Sequence, residues 1–303
     1  MSKAPVNPDV KTAAAAIGQT LDQAKIPHLL FGWTALAPVI VDLGLPVIDF
    51  LVPDKRVAAA VNALEKVGHK ACTDPKCPDL SEDRGPASGD ALSRYHPVPD
   101  AHFHLAGASG TLILLSLFKK DDLLPHLPDL KLGLPSKKEY EYLTLSVDPR
   151  LPGPRTDGTL GPGPGPGPGP SGPWYDLHPV RILNLPVTAE SLMLLRCRHY
   201  QRKPEIDNLW RDMIWEIRRA KLPEVSKFDR ELKGCLQVFW ECLVMVSPNV
   251  GPEAKLKFSK DDSILSFRET LKEGGRDPDV KSSWLRKKQL DYSCKWECRI
   301  WAG

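Results

Sequence analysis

Two apolar runs decide the reading of this chain: Ile26-Pro27-His28-Leu29-Leu30-Phe31, which stops at Gly32, and Pro46-Val47-Ile48-Asp49-Phe50-Leu51-Val52-Pro53-Asp54. Both are short, rich in large aliphatic residues and bounded by proline or glycine, which is the pattern of buried strands. Thr34-Ala35-Leu36-Ala37 follows the first run and predicts a short helix of small residues. After the second run, Val57, Ala60, Val61, Leu64 and Val67 recur at spacings of three and four, so Lys55 to Val67 is predicted to be helical. Pro53-Asp54 starts that helix and Gly68 stops it. The unit therefore reads as strand, helix, strand, helix, with one carboxylate, Asp49, in the middle of its second strand.

An unpaired carboxylate among apolar neighbours is costly. Asp49 therefore needs a substrate cation, an arginine, a metal or backbone donors, or else it caps a helix or pairs with an internal arginine. Ala101-His102-Phe103-His104-Leu105 alternates as a strand does, which puts both imidazoles on one face about 7 Å apart. Such a pair serves as a general base, binds a metal or lies on a solvated face. Gly107 to Gly110 turns the chain, and Thr111 to Phe118 is expected to return as the hairpin partner.

Outside this unit, Val10 to Lys25 has Ile17, Leu21 and Ala24 on one helical face. Thr73 to Asp100 is polar and rich in proline, and reads as a long surface loop. Tyr140 to Val147 and Trp174 to Leu185 are expected strands, the second rejoining the first sheet. Between them lies a spacer, 153–170, ending in five Gly-Pro pairs. Its period of two excludes collagen, and its composition predicts a disordered surface loop rather than a linker. Three helices are expected next: one capped by Thr188, one from Glu205 to Lys221 and one from Asp229 to Val246, with Ser263 to Leu271 as a fourth. The expected division is 1–187 as an α/β core and 188–303 as a helical region packed on it.

Composition sets limits on function. The 303 residues are 42% hydrophobic and 26% charged, ordinary for a globular protein, and the net charge of +3 permits an acidic partner without requiring one. Seven scattered cysteines suit free thiols in a reducing compartment. The chain opens without a basic segment leading into an apolar one, and its longest apolar run, Leu112 to Leu117, is far shorter than a membrane span. We therefore expect a cytoplasmic protein with no membrane and no stable protein partner. P-loop, dinucleotide, nucleophile-elbow and His-Glu-x-x-His motifs are absent, which argues against the common nucleotide-hydrolysing, redox and peptidase classes. Cys72-x4-Cys77, near His69, lies in a loop, whereas zinc prefers two to four intervening residues together with a second such pair, and the other close cysteine pair is Cys294-x3-Cys298. A four-thiolate site across the termini is the weaker reading, and no metal is expected. The tail from Lys281 to Trp301 interleaves Arg286, Lys287 and Lys288 with Trp284, Tyr292 and Trp296, a pattern suited to RNA or to docking on the domain.

Phe31-Gly32-Trp33 and Val47-Ile48-Asp49 resemble the nucleotidyltransferase superfamily, whose glycine pair leads into a helix ahead of an Asp-x-Asp strand. The resemblance covers roughly the first half of the chain. It implies a nucleotidyltransferase-like α/β (α+β) fold, a mixed sheet flanked by helices, with a helical C-terminal half. Val47 stands where the first carboxylate would be, and one carboxylate is a poor two-metal site. In that family a basic residue from the region of Arg196 faces the triphosphate. Arg196, Arg198, His199, Arg202 and Lys203 also suit a helix C-terminus by charge alone.

The chain as a whole is similar to a family of fungal proteins through Phe31-Gly32-Trp33, Ile48 to Asp54, Cys72-x4-Cys77, His102-Phe103-His104, Ser171-Gly172-Pro173-Trp174 and Val180-Arg181-Ile182-Leu183. Through them it resembles arginine-containing cyclodipeptide synthases, which join amino acids delivered by aminoacyl-tRNA. An aminoacyl ester is already activated, so that chemistry tolerates loss of a metal dyad and needs no cofactor. The resemblance implies Asp49, His102 and His104 as catalytic residues, Gly32, Trp33, Trp174 and Arg196 around the substrate, and Arg286, Lys287 and Lys288 on the tRNA. The alternatives are a magnesium-dependent nucleotidyltransferase using Asp49 with a carboxylate such as Asp100, and an inactive nucleotide- or RNA-binding module.

Overall fold

The computed structural model describes residues 9–85, 92, 94–154, 169–220 and 269. The expected helices at Asp229 to Val246 and Ser263 to Leu271, and the basic-aromatic tail, lie outside these residues. The described part is a mixed α/β structure. Helix α1 (Val10–Gln23) begins at Asp9, whose carboxylate accepts from the Thr12 amide at 2.7 Å. It is followed by β1 (Leu29–Phe31), α2 (Gly32–Leu36), β2 (Val47–Val52), a single 3-10 turn and α3 (Val57–Lys66). Proline at 46 and 53 brackets β2 because neither residue can donate to a ladder.

A four-stranded sheet of order β1-β2-β4-β3 is completed by β3 (Ala101–Ala106) and β4 (Leu112–Lys119), which runs directly into the one-turn helix α4 (Lys120–Leu123). β1 runs antiparallel to β2, β2 parallel to β4, and β4 antiparallel to β3. Phe50 and Phe103 are fully buried in it, and every residue of β2 except Asp49 is buried, as a central strand covered on both faces requires. α1 and α3 pack together on the sheet.

Two expectations change here. The segments expected at Tyr140 to Val147 and Trp174 to Leu185 contract to β5 (Leu143–Leu145) and β6 (Arg181–Leu183), which form their own two-stranded sheet beside β1 rather than extending the main one. Polar anchoring explains the short pairing. Ser146 Oγ accepts from the Val180 amide at 3.1 Å, and Asp22 at the end of α1 holds Arg181 at 3.1 Å and His178 at 2.9 Å. Second, helix α5 (Leu185–His199) starts three residues before Thr188. Asn184 is its cap, accepting from the Val187 amide at 3.1 Å, and Pro186 in the first turn needs no amide partner.

Helix α6 (Pro204–Arg219) folds back on α5, with Ile206, Trp210, Met213, Ile214 and Ile217 buried at helical spacing. The two described ends of the Gly-Pro run meet. A Cβ on Gly172 would lie 2.7 Å from Pro154, while Gly169 accepts from the Asp42 amide at 2.9 Å and Ser171 donates to Ala37 at 2.8 Å. The run thus leaves and re-enters the fold at one place. Trp174 closes that place: it is buried, its indole donating to Ser171 Oγ at 3.1 Å. Among the described residues no helix is long and apolar enough to cross a membrane.

Candidate functional site

Register across the sheet lines up Phe31, Asp49, Ser116 and His102 in one row, each opposite the next on the neighbouring strand. Facing residues of adjacent strands project to the same side, so the row gives one face of the sheet a polar stripe. Asp49 sits near its centre, in a small cleft open to solvent. Phe31, Trp33 and Val47 come from the sheet side, Arg84, Tyr95 and His96 from the long connection before β3, and Trp210 and Met213 from α6.

Gly32 makes room for the carboxylate. Its φ is +72°, and a Cβ there would lie 2.5 Å from Asp49 Oδ2. Gly32→Ala is expected to cost about 1–2 kcal/mol in left-handed backbone strain and to push the Asp49 carboxylate out of place. Urea unfolding of the variant checks this, and a loss below about 0.5 kcal/mol would mean that the turn relaxes freely.

Burial pushes the Asp49 carboxyl up to about 6, against the opposing pull of the Arg84 guanidinium and the Ser116 hydroxyl. Arg84 is itself held by Asp79, Nε to Oδ1 at 2.7 Å, and both are largely buried. The internal arginine foreseen as one partner of Asp49 is thus present, but shared between two carboxylates. His96 lines the same cleft. Burial, with Arg84 beside it, brings its pKa down to about 4, so the imidazole is neutral near pH 7. The Trp33 indole N–H has no hydrogen-bond partner among the described residues.

The other expected site residues lie elsewhere. His102 and His104 project together, with ring centroids 5.2 Å apart, but they face Cys77 rather than the cleft. Cys72, Cys77, His102 and His104 place one donor atom each within 4.8 Å of one another. Trp174 belongs to the closure of the Gly-Pro run. Arg196 is buried between α5 and α6, its Nε 3.0 Å from Asp207 Oδ1; it is an internal partner rather than a residue facing the cleft. Asp100 binds Lys119 through both its amide and its ammonium group. The basic residues Arg286, Lys287 and Lys288 lie outside the described residues.

Arg84, His96, Tyr95 and Trp210 were not foreseen as site residues. The available signal was the length of the connection between Thr73 and Asp100, because long connections over a rigid scaffold are where binding and catalytic residues concentrate.

No protein-family model matches the chain, and no curated protein matches it. Among solved structures it is similar to an antigenic nucleotidyltransferase-like protein from Paracoccidioides brasiliensis, at 12% identity and a TM-score of 0.37, covering 94% of this chain and 97% of that one.

Proposed function

We propose that the Asp49 cleft is the substrate site of a transferase that uses an activated aminoacyl ester, and that the chain is a tRNA-dependent cyclodipeptide synthase taking arginine. The supporting observation is that Asp49 is the sole carboxylate among the described residues lining the cleft, with the apolar Val47 two positions before it. Magnesium-assisted triphosphate chemistry needs paired oxygen ligands at the reacting phosphates, and Asp100 is held on Lys119 instead. Aminoacyl transfer needs none of this. The α-amine of one aminoacyl group attacks the ester carbonyl of another, an amide bond forms, the ester C–O bond breaks and the tRNA hydroxyl leaves with a proton. A second, intramolecular attack closes the ring and releases the second tRNA.

Asp49 attracts the cationic side chain of the substrate, sharing its carboxylate with Arg84, while Phe31, Trp33 and Trp210 cover the aliphatic stem. Neutral His96 accepts the proton of the attacking amine, a role assigned from its place in the cleft. Expression of the full chain and of Asp49→Ala in a bacterial host, with mass spectrometry of the medium, tests this. The wild type is expected to yield an arginine-containing cyclic dipeptide, reduced at least a hundredfold in the variant. A soluble, folded wild type that yields none removes the reading, and magnesium-dependent nucleotide binding would replace it with nucleotidyl transfer.

A further inference from the structure

The cluster of Cys72, Cys77, His102 and His104 is built by the sheet edge rather than by sequence spacing. Ala71 bridges Phe103 in antiparallel register, and the Cys72 amide donates to the His102 carbonyl at 2.9 Å. That register sets Cys72 opposite His102, on the face His102 shares with His104. The chain then turns through Asp74, whose carboxylate accepts from the Lys76 amide at 2.9 Å and whose carbonyl accepts from the Cys77 amide at 3.1 Å. The turn returns Cys77 so that its sulfur lies 3.2 Å from His102 Nε2 and 3.6 Å from His104 Nε2.

We propose that these four residues bind one zinc-class divalent ion in a closed, tetrahedral Cys2His2 site. Zinc–sulfur bonds of about 2.3 Å and zinc–nitrogen bonds of about 2.0–2.1 Å make a tetrahedron with edges of roughly 3.3–3.8 Å. The Cys77–His104 edge of 3.6 Å falls in that range, the Cys77–His102 edge of 3.2 Å lies just below it, and all four donors fit within 4.8 Å. Charge fits as well, since two thiolates neutralise a divalent ion and two neutral imidazoles complete the shell.

Asp79 stands beside the four, 3.0 Å from His104 Nε2 and 2.7 Å from Arg84; its contact with that nitrogen gives way when His104 binds the ion, while its pairing with Arg84 stays. With four protein donors the ion has no open position for chemistry. Its effect is to staple the connection from His69 to Asp100 onto the edge strand, and so to hold Arg84 and His96 over Asp49. This assignment stands independently of the reaction proposed for the cleft.

The test is metal analysis of the full chain purified without chelator, followed by chelation and titration with cobalt(II) alone. One zinc per chain is expected, and cobalt should give the intense visible absorption of a tetrahedral site together with thiolate-to-cobalt charge transfer. Cys77→Ser should weaken binding more than tenfold. His104→Ala removes a half-exposed ligand without opening the core, and should shift the cobalt spectrum while the chain remains folded. Cys197→Ser, in α5 and away from the cluster, should leave stoichiometry and spectrum unchanged. A folded wild type with less than a tenth of an equivalent of zinc and no cobalt spectrum would overturn the assignment. So would a Cys72–Cys77 disulfide in freshly purified protein, or a cobalt spectrum unaffected by both ligand substitutions.

Discussion

Arg196→Leu is expected to destabilise the chain by about 3–5 kcal/mol, because it leaves the Asp207 carboxylate buried without its partner. The Arg196 side chain is 6% exposed and that of Asp207 9%, and the two meet at 3.0 Å across the α5–α6 contact. Burial raises the Asp207 pKa even with Arg196 opposing it, so the carboxylate is poorly solvated and depends on the guanidinium. Among the described residues, the other cation near it is Arg211, which is about half exposed, and pairs at that exposure contribute about 0–1 kcal/mol. The double substitution Arg196→Leu with Asp207→Leu should recover most of the loss, since an apolar pair of similar volume replaces buried ions at little net cost.

Chemical denaturation of the wild type, both single variants and the double variant measures the coupling. A single-variant loss below about 1 kcal/mol would show the pair to be solvated. The same series separates two roles for Arg196. A residue that faces an anionic substrate loses binding while stability holds, whereas this geometry predicts loss of stability first.

Much of the sheet was legible because its signals are local. Proline at 46 and 53 and glycine at 32 and 68 mark where β2, α2 and α3 begin or end, and alternation in Ala101 to Leu105 put both histidines on one face. Asp49 was legible as the anomaly of an apolar strand. What was illegible depended on contacts between distant segments. The thiols that meet His102 and His104 come from 25 to 32 residues earlier, through a bridge at Ala71 that no periodicity announces.

Zinc spacing rules accept the four residues between Cys72 and Cys77 but look for a second pair of cysteines or of histidines three to five residues apart, whereas His102 and His104 alternate on a strand with one residue between them. Arg84 and His96 belong to no helix or strand, so neither hydrophobic period nor capping chemistry points to them. At α5, Thr188 had the right chemistry for a cap, but Asn184 followed by Leu185-Pro186 had both the chemistry and the proline. β6 was misassigned to the main sheet because an apolar run says that a strand is buried and not which strand it pairs with.

Asp49→Asn is expected to raise stability above pH 7 by about 2 kcal/mol and to change nothing near pH 4. In the folded chain Asp49 keeps its proton up to about pH 6, whereas an unfolded aspartate releases it near 3.9. Between those values the folded state binds the additional proton, so wild-type stability falls as pH rises through that window and the cost is fully present above it. The shift of about two units corresponds to nearly 3 kcal/mol at about 1.4 per unit, and we take about 2 because the side chain keeps part of its surface on the cleft. Asparagine has the same shape and no charge to desolvate, and Arg84 is not stranded by the change because Asp79 still holds it at 2.7 Å. Urea midpoints of both proteins at pH 4 and pH 7.5 read the difference directly. An equal gap at the two values would mean that Asp49 ionises as it does in water. A wild type that is the more stable at pH 7.5 would mean that Arg84 and Ser116 outweigh the burial. If the variant gains stability while the cleft loses its product, Asp49 carries a cost to folding that only its substrate offsets, which is how strain and unfavourable charge persist at working sites.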